Sequence, residues 1–161
     1  MGDLVAAING LPVDGAREAF ARCCGSQRWV EGMLARRPFS SPAELFAAAD
    51  AIWDGLAPAD FLEAFSHHPA IGATGARGFS AREQAAVAHA PAATLQELET
   101  LNHRYRERFG FVFLVCATGK SAAEMLVLLR ARIDNSADVE LRIAAAEQAK
   151  ITRLRLEKLA P

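Results

Sequence analysis

Residues 41–56 read Ser41-Pro42-Ala43-Glu44-Leu45-Phe46-Ala47-Ala48-Ala49-Asp50-Ala51-Ile52-Trp53-Asp54-Gly55-Leu56, and this stretch decides the fold class. Ser41 stands where a helix needs an N-cap, Pro42 where its missing N–H costs nothing, and Glu44 where a carboxylate reaches back to the cap. Leu45, Ala48, Ala49, Ile52, Trp53 and Leu56 then fall at offsets 0, 3, 4, 7, 8 and 11, which is the single apolar stripe of an amphipathic helix. The same grammar returns at Ser121-Ala122-Ala123-Glu124, followed by Met125, Leu126, Leu129 and Ile133 on one face. Leu98, Leu101, Tyr105 and Phe109 mark another stripe, and Gly110 is suited to end it in a left-handed conformation.

The rest of the chain extends the pattern. Asp14 reads as the cap of a helix running toward Cys24, and Arg28 to Arg36 as a helix around Trp29, Val30 and Met33. The stretch from about Ala137 to Leu159 has no Gly or Pro, with Lys150, Arg153, Arg155 and Lys158 toward the end that favours cations. One segment departs from this. Phe111-Val112-Phe113-Leu114-Val115-Cys116 is a continuous β-branched and aromatic run between Gly110 and Thr118-Gly119. It is too short for a helix and has no partner strand, so it predicts buried extended backbone whose amides and carbonyls need other partners, a ligand among them. The expected architecture is an all-α, compact single-domain bundle of about eight helices over residues 1–161, with one short extended segment near 111–117.

Composition bounds the function. A length of 161 residues favours one core, and 52% hydrophobic against 23% charged residues excludes global disorder. Eighteen basic and nineteen acidic residues give a net charge of −1, which offers no general attraction to nucleic acid. No apolar run approaches the roughly 20 residues that span a bilayer, and residues 1–11 lack the pattern of a secretory signal. Cys23, Cys24 and Cys116 are an odd set without Cys-x-x-Cys spacing, so they read as small core residues of a protein from a reducing cytoplasm. No two histidines have the spacing that puts two metal ligands on one helix face, and no phosphate-loop pattern occurs.

Candidate chemistry gathers at two breaks. In His67-His68-Pro69-Ala70-Ile71-Gly72, Pro69 pushes His68 out of helical geometry at a helix end. An imidazole there can donate or accept a proton near neutral pH, or both histidines can be ordinary partners of a helix C-terminus. At most one of these neighbours faces a pocket. From Gly72 to Gly78 three glycines make a flexible loop, closed by Ser80-Ala81-Arg82-Glu83-Gln84, a capping-box pattern that gives Glu83 a structural task beside any functional one. Arg132 and Asn135 read equally as helix-capping residues or as pocket lining.

His68-Pro69-Ala70-Ile71-Gly72, Ser80-x-x-Glu83-Gln84, Leu101-Asn102-x-x-Tyr105-x-x-x-Phe109-Gly110-Phe111-Val112-Phe113, and Arg132-x-x-Asn135 with Glu140 together resemble one family. It is the 2-oxo-4-hydroxy-4-carboxy-5-ureidoimidazoline (OHCU) decarboxylase family of urate breakdown, and the resemblance runs from the Trp29 region through Lys150-Ile151 and Arg155. It implies a cofactor-free, metal-free carboxy-lyase that turns OHCU into (S)-allantoin and carbon dioxide, on a helical, homodimeric fold. The catalytic histidine of the family falls on His68, with Glu83 orienting the imidazole. Substrate contacts fall on Pro69, Ser80, Glu83 and Gln84 and on the segment Phe113, Leu114, Val115, Cys116 and Ala117, with Arg132 lining the pocket. Two features depart from the usual pattern. His67 adds a second imidazole beside the first, and the chain ends Leu159-Ala160-Pro161 without a Ser-Lys-Leu address, which suits a bacterial-type cytoplasmic enzyme. The readings from other classes are a non-catalytic helical interaction module and a metal-dependent helical hydrolase.

Overall fold

The structure, a computed structural model, describes residues 2–72 and 79–161. Nine α-helices occur among them: α1 Gly2–Gly10, α2 Val13–Cys23, α3 Gln27–Arg36, α4 Pro42–Asp54, α5 Pro58–Phe65, α6 Phe79–Glu83, α7 Ala92–Phe109, α8 Ala122–Arg132 and α9 Ala137–Glu157, with a 3-10 turn at Ala85–Val87. No strand occurs among the described residues, so the all-α expectation is correct. The expected loop from Gly72 to Gly78 lies, beyond Gly72, outside the described residues.

The chain divides into two compact units, Met1–Ala64 with Ala149–Pro161, and Phe65–Gln148. In the first, Leu4, Ile8, Phe20, Cys23, Trp29, Met33 and Leu45 are buried to within 1% of full enclosure. Trp29 meets Phe20 edge to face at 6.0 Å, and its indole N–H donates to the Ala49 carbonyl at 3.1 Å, tying α3 to α4. Asn9 grips the Phe39 backbone from both sides, donating to its carbonyl at 2.8 Å and accepting its amide at 2.9 Å.

The caps follow their local chemistry, with two corrections. The Ser41 hydroxyl accepts the Glu44 amide at 3.1 Å, while the Glu44 carboxylate reaches the Ser40 amide at 2.6 Å instead of Ser41. The Ser40 hydroxyl, which also donates to this carboxylate, and then the Ser40 amide hold the carboxyl of Glu44 below its ordinary pKa. Asp14 is not a cap. Pro12 precedes α2 as its N-cap, because its fixed φ leads into the helix, and Asp14 sits in the first turn, where it pairs with Arg17 at 3.2 Å.

In the second unit, Ser121 and Glu124 exchange both bonds of a capping box at the start of α8. Gly110 ends α7 at φ 81°, a left-handed conformation open to glycine without a Cβ clash. The chain then runs wholly buried, in neither helix nor strand, through residues 111–117. Around it Phe65, Tyr105, Phe109 and Phe111 form an aromatic cluster with ring centroids 4.5 to 6.2 Å apart, and Phe113 joins it against Tyr105 at 5.3 Å.

Candidate active site

Every residue singled out for chemistry lies in the second unit, Phe65–Gln148. α5 stops at Phe65, and the His68 amide closes a turn onto the Phe65 carbonyl at 3.1 Å. Pro69 prevents the helix from continuing. Two side chains from elsewhere fix the turn that follows. Asn102 of α7 donates to the Ile71 carbonyl at 3.0 Å, and Gln84 accepts the Gly72 amide at 3.0 Å, where Gly72 has φ 82°. Of the two histidines, His67 is exposed and His68 half-buried. The His68 Nε2 lies 2.6 Å from Oε1 of Gln148, a completely buried residue of α9.

Ser80 and Glu83 are half-buried in α6. Ser80 is the second residue of that helix rather than its cap, since the helical turn starts at Phe79. Glu83 closes α6, and its negative charge contributes to raising the pKa of the Cys116 thiol, which brings it near the extended segment.

That segment is held from one side. The Leu114 carbonyl accepts from Arg132 Nη1 at 2.7 Å. The Cys116 amide donates to Glu147 at 3.1 Å, and the Cys116 carbonyl accepts from Lys120 Nζ at 2.7 Å. Leu114 and Cys116 are taken by these protein anchors, whereas none of the N–H and C=O groups of Phe113 and Val115 has a hydrogen-bond partner among the described residues. Both residues are at most 3% exposed, and buried backbone without a partner is rare in proteins. Burial first, and then the charges of Glu147 and Glu83, push the Cys116 thiol pKa up and so disfavour the thiolate.

Arg132 sits in a buried network. Its Nε meets Glu140 at 2.6 Å and its Nη2 the Tyr105 hydroxyl at 3.4 Å. Glu140, completely buried, also accepts from the Tyr105 hydroxyl at 2.6 Å and from Asn135 at 3.0 Å. Burial and this carboxylate drive the Tyr105 pKa upward, so the phenol remains a donor. The guanidinium also lies 4.6 Å from the centre of the Phe113 ring, so Arg132 is engaged on all three nitrogens and one face.

Two participants escaped the sequence reading, Glu147 and Gln148. With Glu140 they recur at offsets 0, 7 and 8 along α9, one helical face, and each is at least 91% buried. Acidic or amide residues on the inner stripe of a helix were the available signal. Because Glu147 and Gln148 are neighbours, the extended segment and the His68 ring are moored to adjacent positions. An open cleft of about 650 Å³ adjoins the same turn, lined by Ala70, Ile71, Gly72, Leu95, Asn102 and Val112 among others. His68, Glu83 and residues 113–117 are not in its wall, so its size does not mark the chemistry. Among the described residues, no group of three or more His, Cys, Asp or Glu is arranged to hold a metal ion.

Comparison with known proteins identifies the family of the chain. The family profile described as OHCU decarboxylase matches residues 9–157. The uric acid degradation bifunctional protein TTL of Arabidopsis thaliana is 41% identical over 145 residues, covering 85% of this chain, which spans 45% of the length of that protein. The 2-oxo-4-hydroxy-4-carboxy-5-ureidoimidazoline decarboxylase of Haloferax volcanii is 29% identical over 153 residues, 92% of this chain and 91% of the relative. A crystal structure of OHCU decarboxylase in the presence of (S)-allantoin superposes with a TM-score of 0.78 at 41% identity, covering 87% of this chain and 95% of that one. A crystal structure of (S)-allantoin synthase shares the fold at a TM-score of 0.73 and 20% identity, over 96% of this chain and 53% of that one.

Proposed function

The chain belongs to the OHCU decarboxylase family, and from that premise we propose that it decarboxylates 2-oxo-4-hydroxy-4-carboxy-5-ureidoimidazoline to (S)-allantoin and carbon dioxide, using its own side chains alone. The observation that carries this reading is the row of unpartnered backbone groups at Phe113 and Val115, in a segment moored to Glu147 next to the Gln148 that holds the half-buried His68. A ring bearing lactam and ureido amides is a planar array of alternating donors and acceptors. An extended backbone offers the complementary array, and burial makes each such bond count, because the alternative is an unsatisfied group.

The substrate supplies its own electron sink. When the C–C bond to the carboxylate breaks, its electron pair passes into the adjacent ring C=N. The protein then has two tasks, alignment of that bond with the π system and delivery of one proton to one face of the ring. His68 is the proton donor in this reading. Held at a proline turn and anchored on Gln148, the ring approaches substrate from a single direction. Glu83 supplies negative charge that favours the imidazolium. Pro69 and Ser80 bound the pocket, Gln84 reads the ring with its amide NH2 while its oxygen holds Gly72, and Ala117 adds its N–H to the row begun by Phe113 and Val115, its carbonyl being taken by the Lys120 amide at 3.0 Å. Leu114 and Cys116 line the pocket as part of that segment. Arg132 is assigned a brace of the Leu114 carbonyl rather than a substrate contact, since its nitrogens are engaged. A homodimer in the cytoplasm completes the proposal, and sedimentation of the purified protein tests the dimer.

The test generates OHCU in place from urate and follows the optical activity of the allantoin formed. Uncatalysed decay delivers protons to both faces and gives a racemate, so enriched (S)-allantoin is the expected result and a racemate formed at the spontaneous rate refutes the activity. His68→Asn retains the fold and loses roughly 10²–10⁴-fold in rate. Turnover within a few-fold of the parent removes His68 from the role.

A further inference from the structure

We infer that Gln148 is a positioning residue that selects the tautomer of His68, so that the proton given to substrate leaves from Nδ1; this rests on the reading of His68 as proton donor. The contact is 2.6 Å between His68 Nε2 and Gln148 Oε1. An amide oxygen carries no hydrogen, so the ring nitrogen must be the donor in this bond. The donor role selects the same orientation of the amide. A charged imidazolium has N–H groups on both nitrogens, and only an oxygen can accept from the one at Gln148, whereas the amide NH2 would oppose it.

Two consequences follow from the chemistry of the pair. Nε2 keeps its hydrogen in the charged and the neutral ring alike, so the exchangeable proton is the one on Nδ1. The amide is also uncharged and not basic. It orients the ring without competing for the proton, which a carboxylate in its place would do. Gln148 is completely buried in α9, and its neighbour Glu147 is fixed on the Cys116 amide at 3.1 Å, so its reach to His68 is set by the same face that holds the extended segment. Anchored through Cβ by the chain and at Nε2 by Gln148, the ring cannot rotate about χ2 without losing a bond.

The step balances as follows in atoms and electrons. The C–C bond to the carboxylate breaks and carbon dioxide leaves, its electron pair passing into the ring C=N system. The pair of the new ring C=C bond then forms a C–H bond at the ring carbon that becomes stereogenic, while the Nδ1–H bond breaks and leaves its pair on Nδ1, and the neighbouring hydroxyl becomes the product carbonyl as its O–H proton passes to the ring nitrogen that took up the C=N pair. His68 ends neutral with hydrogen on Nε2, and a proton from solvent restores Nδ1–H after the product departs. The ionisable groups of the same site include Glu83, Cys116, Lys120, Arg132 and Glu147, with His67 next in the chain; all stay in place in the variants below, so a change in pH profile belongs to position 148.

The experiment combines nitrogen NMR of the parent protein with kinetics of Gln148→Met and Gln148→Glu on OHCU generated in place. In the parent at a pH where His68 is neutral, the expected spectrum assigns the hydrogen to Nε2. A neutral His68 with hydrogen on Nδ1 overturns the inference. Gln148→Met, similar in volume but without the acceptor, is expected to lower kcat roughly 10- to 100-fold through misorientation, with KM nearly unchanged and a mixture of tautomers. Parent-like kcat and tautomer in that variant overturn the inference. Gln148→Glu stabilises the imidazolium, so the alkaline limb of activity, where the acid loses its proton, moves up by about one pH unit; an unmoved limb counts against the pairing. Should Gln148→Met fail to fold, the parent spectrum and Gln148→Glu still decide. A parent protein with no activity on OHCU defeats the functional proposal instead, and the spectrum continues to test the Gln148 contact by itself.

Discussion

Replacing Arg132 by methionine separates a brace from a substrate contact. The side chain is 9% exposed and its Nε lies 2.6 Å from a Glu140 that is completely enclosed. Breaking a buried ion pair on one side costs about 3–5 kcal/mol, most of it from the charge left behind. Glu140 keeps the Tyr105 hydroxyl and the Asn135 amide, which draws the cost toward the lower end, while the Leu114 carbonyl loses its donor, which adds about 1 kcal/mol. A total near 3–5 kcal/mol corresponds to a fall in Tm of roughly 6–20 °C for a chain of this length. Calorimetry of Arg132→Met, Glu140→Met and the double variant measures it. In the double variant no charge is stranded, so its loss should be smaller than the sum of the single losses by about 1–3 kcal/mol. An Arg132→Met protein that melts with the parent and shows only a raised KM would refute the brace and return Arg132 to the substrate.

Further outcomes test other parts of the structure. Ser121→Ala removes the hydroxyl that accepts the Glu124 amide and is expected to cost about 1 kcal/mol, a fall of roughly 2–4 °C in Tm, with activity unchanged. His67→Ala, on the exposed member of the pair, should leave turnover and product chirality as in the parent; a loss comparable to that of His68→Asn would reverse the assignment. Burial raises the Cys24 thiol from 9.0 to about 11. A group whose pKa is higher in the folded state stabilises below its unfolded pKa and loses that contribution as pH rises toward the folded value. Stability is therefore expected to hold to about pH 9 and then decline through pH 11, a trend that Tyr105, also shifted upward, reinforces at still higher pH. Thermal melts across that range check it, and Cys24→Ala should flatten the decline between pH 9 and 11.

Residues 41–56 and 121–133 disclosed their helices because the information is local. A cap and its partner lie three positions apart, an apolar stripe repeats every turn, and Gly110 ends α7 at a conformation written in its missing side chain. Local information also misled slightly at Asp14 and Ser80, since a residue suited to capping remains suited to the first turn, and the backbone chooses between the two. The helix at Gly2–Gly10 was not read from the sequence. The buried, non-helical character of 111–117 was legible from composition and from its flanking glycines.

What held that segment was beyond any local reading. Leu114 meets Arg132 across 18 positions, Cys116 meets Glu147 across 31, and His68 meets Gln148 across 80. A glutamine is common on any helix, and only a folded chain brings its amide oxygen against one nitrogen of one imidazole. The sequence by itself determined most of the helices, the ends marked by Ser41, Gly110 and Ser121 and the residue types fit for proton transfer, because those follow from neighbours along the chain. The tertiary structure decided which backbone groups were left without partners and which side chain orients the histidine, because both depend on packing between elements far apart in sequence.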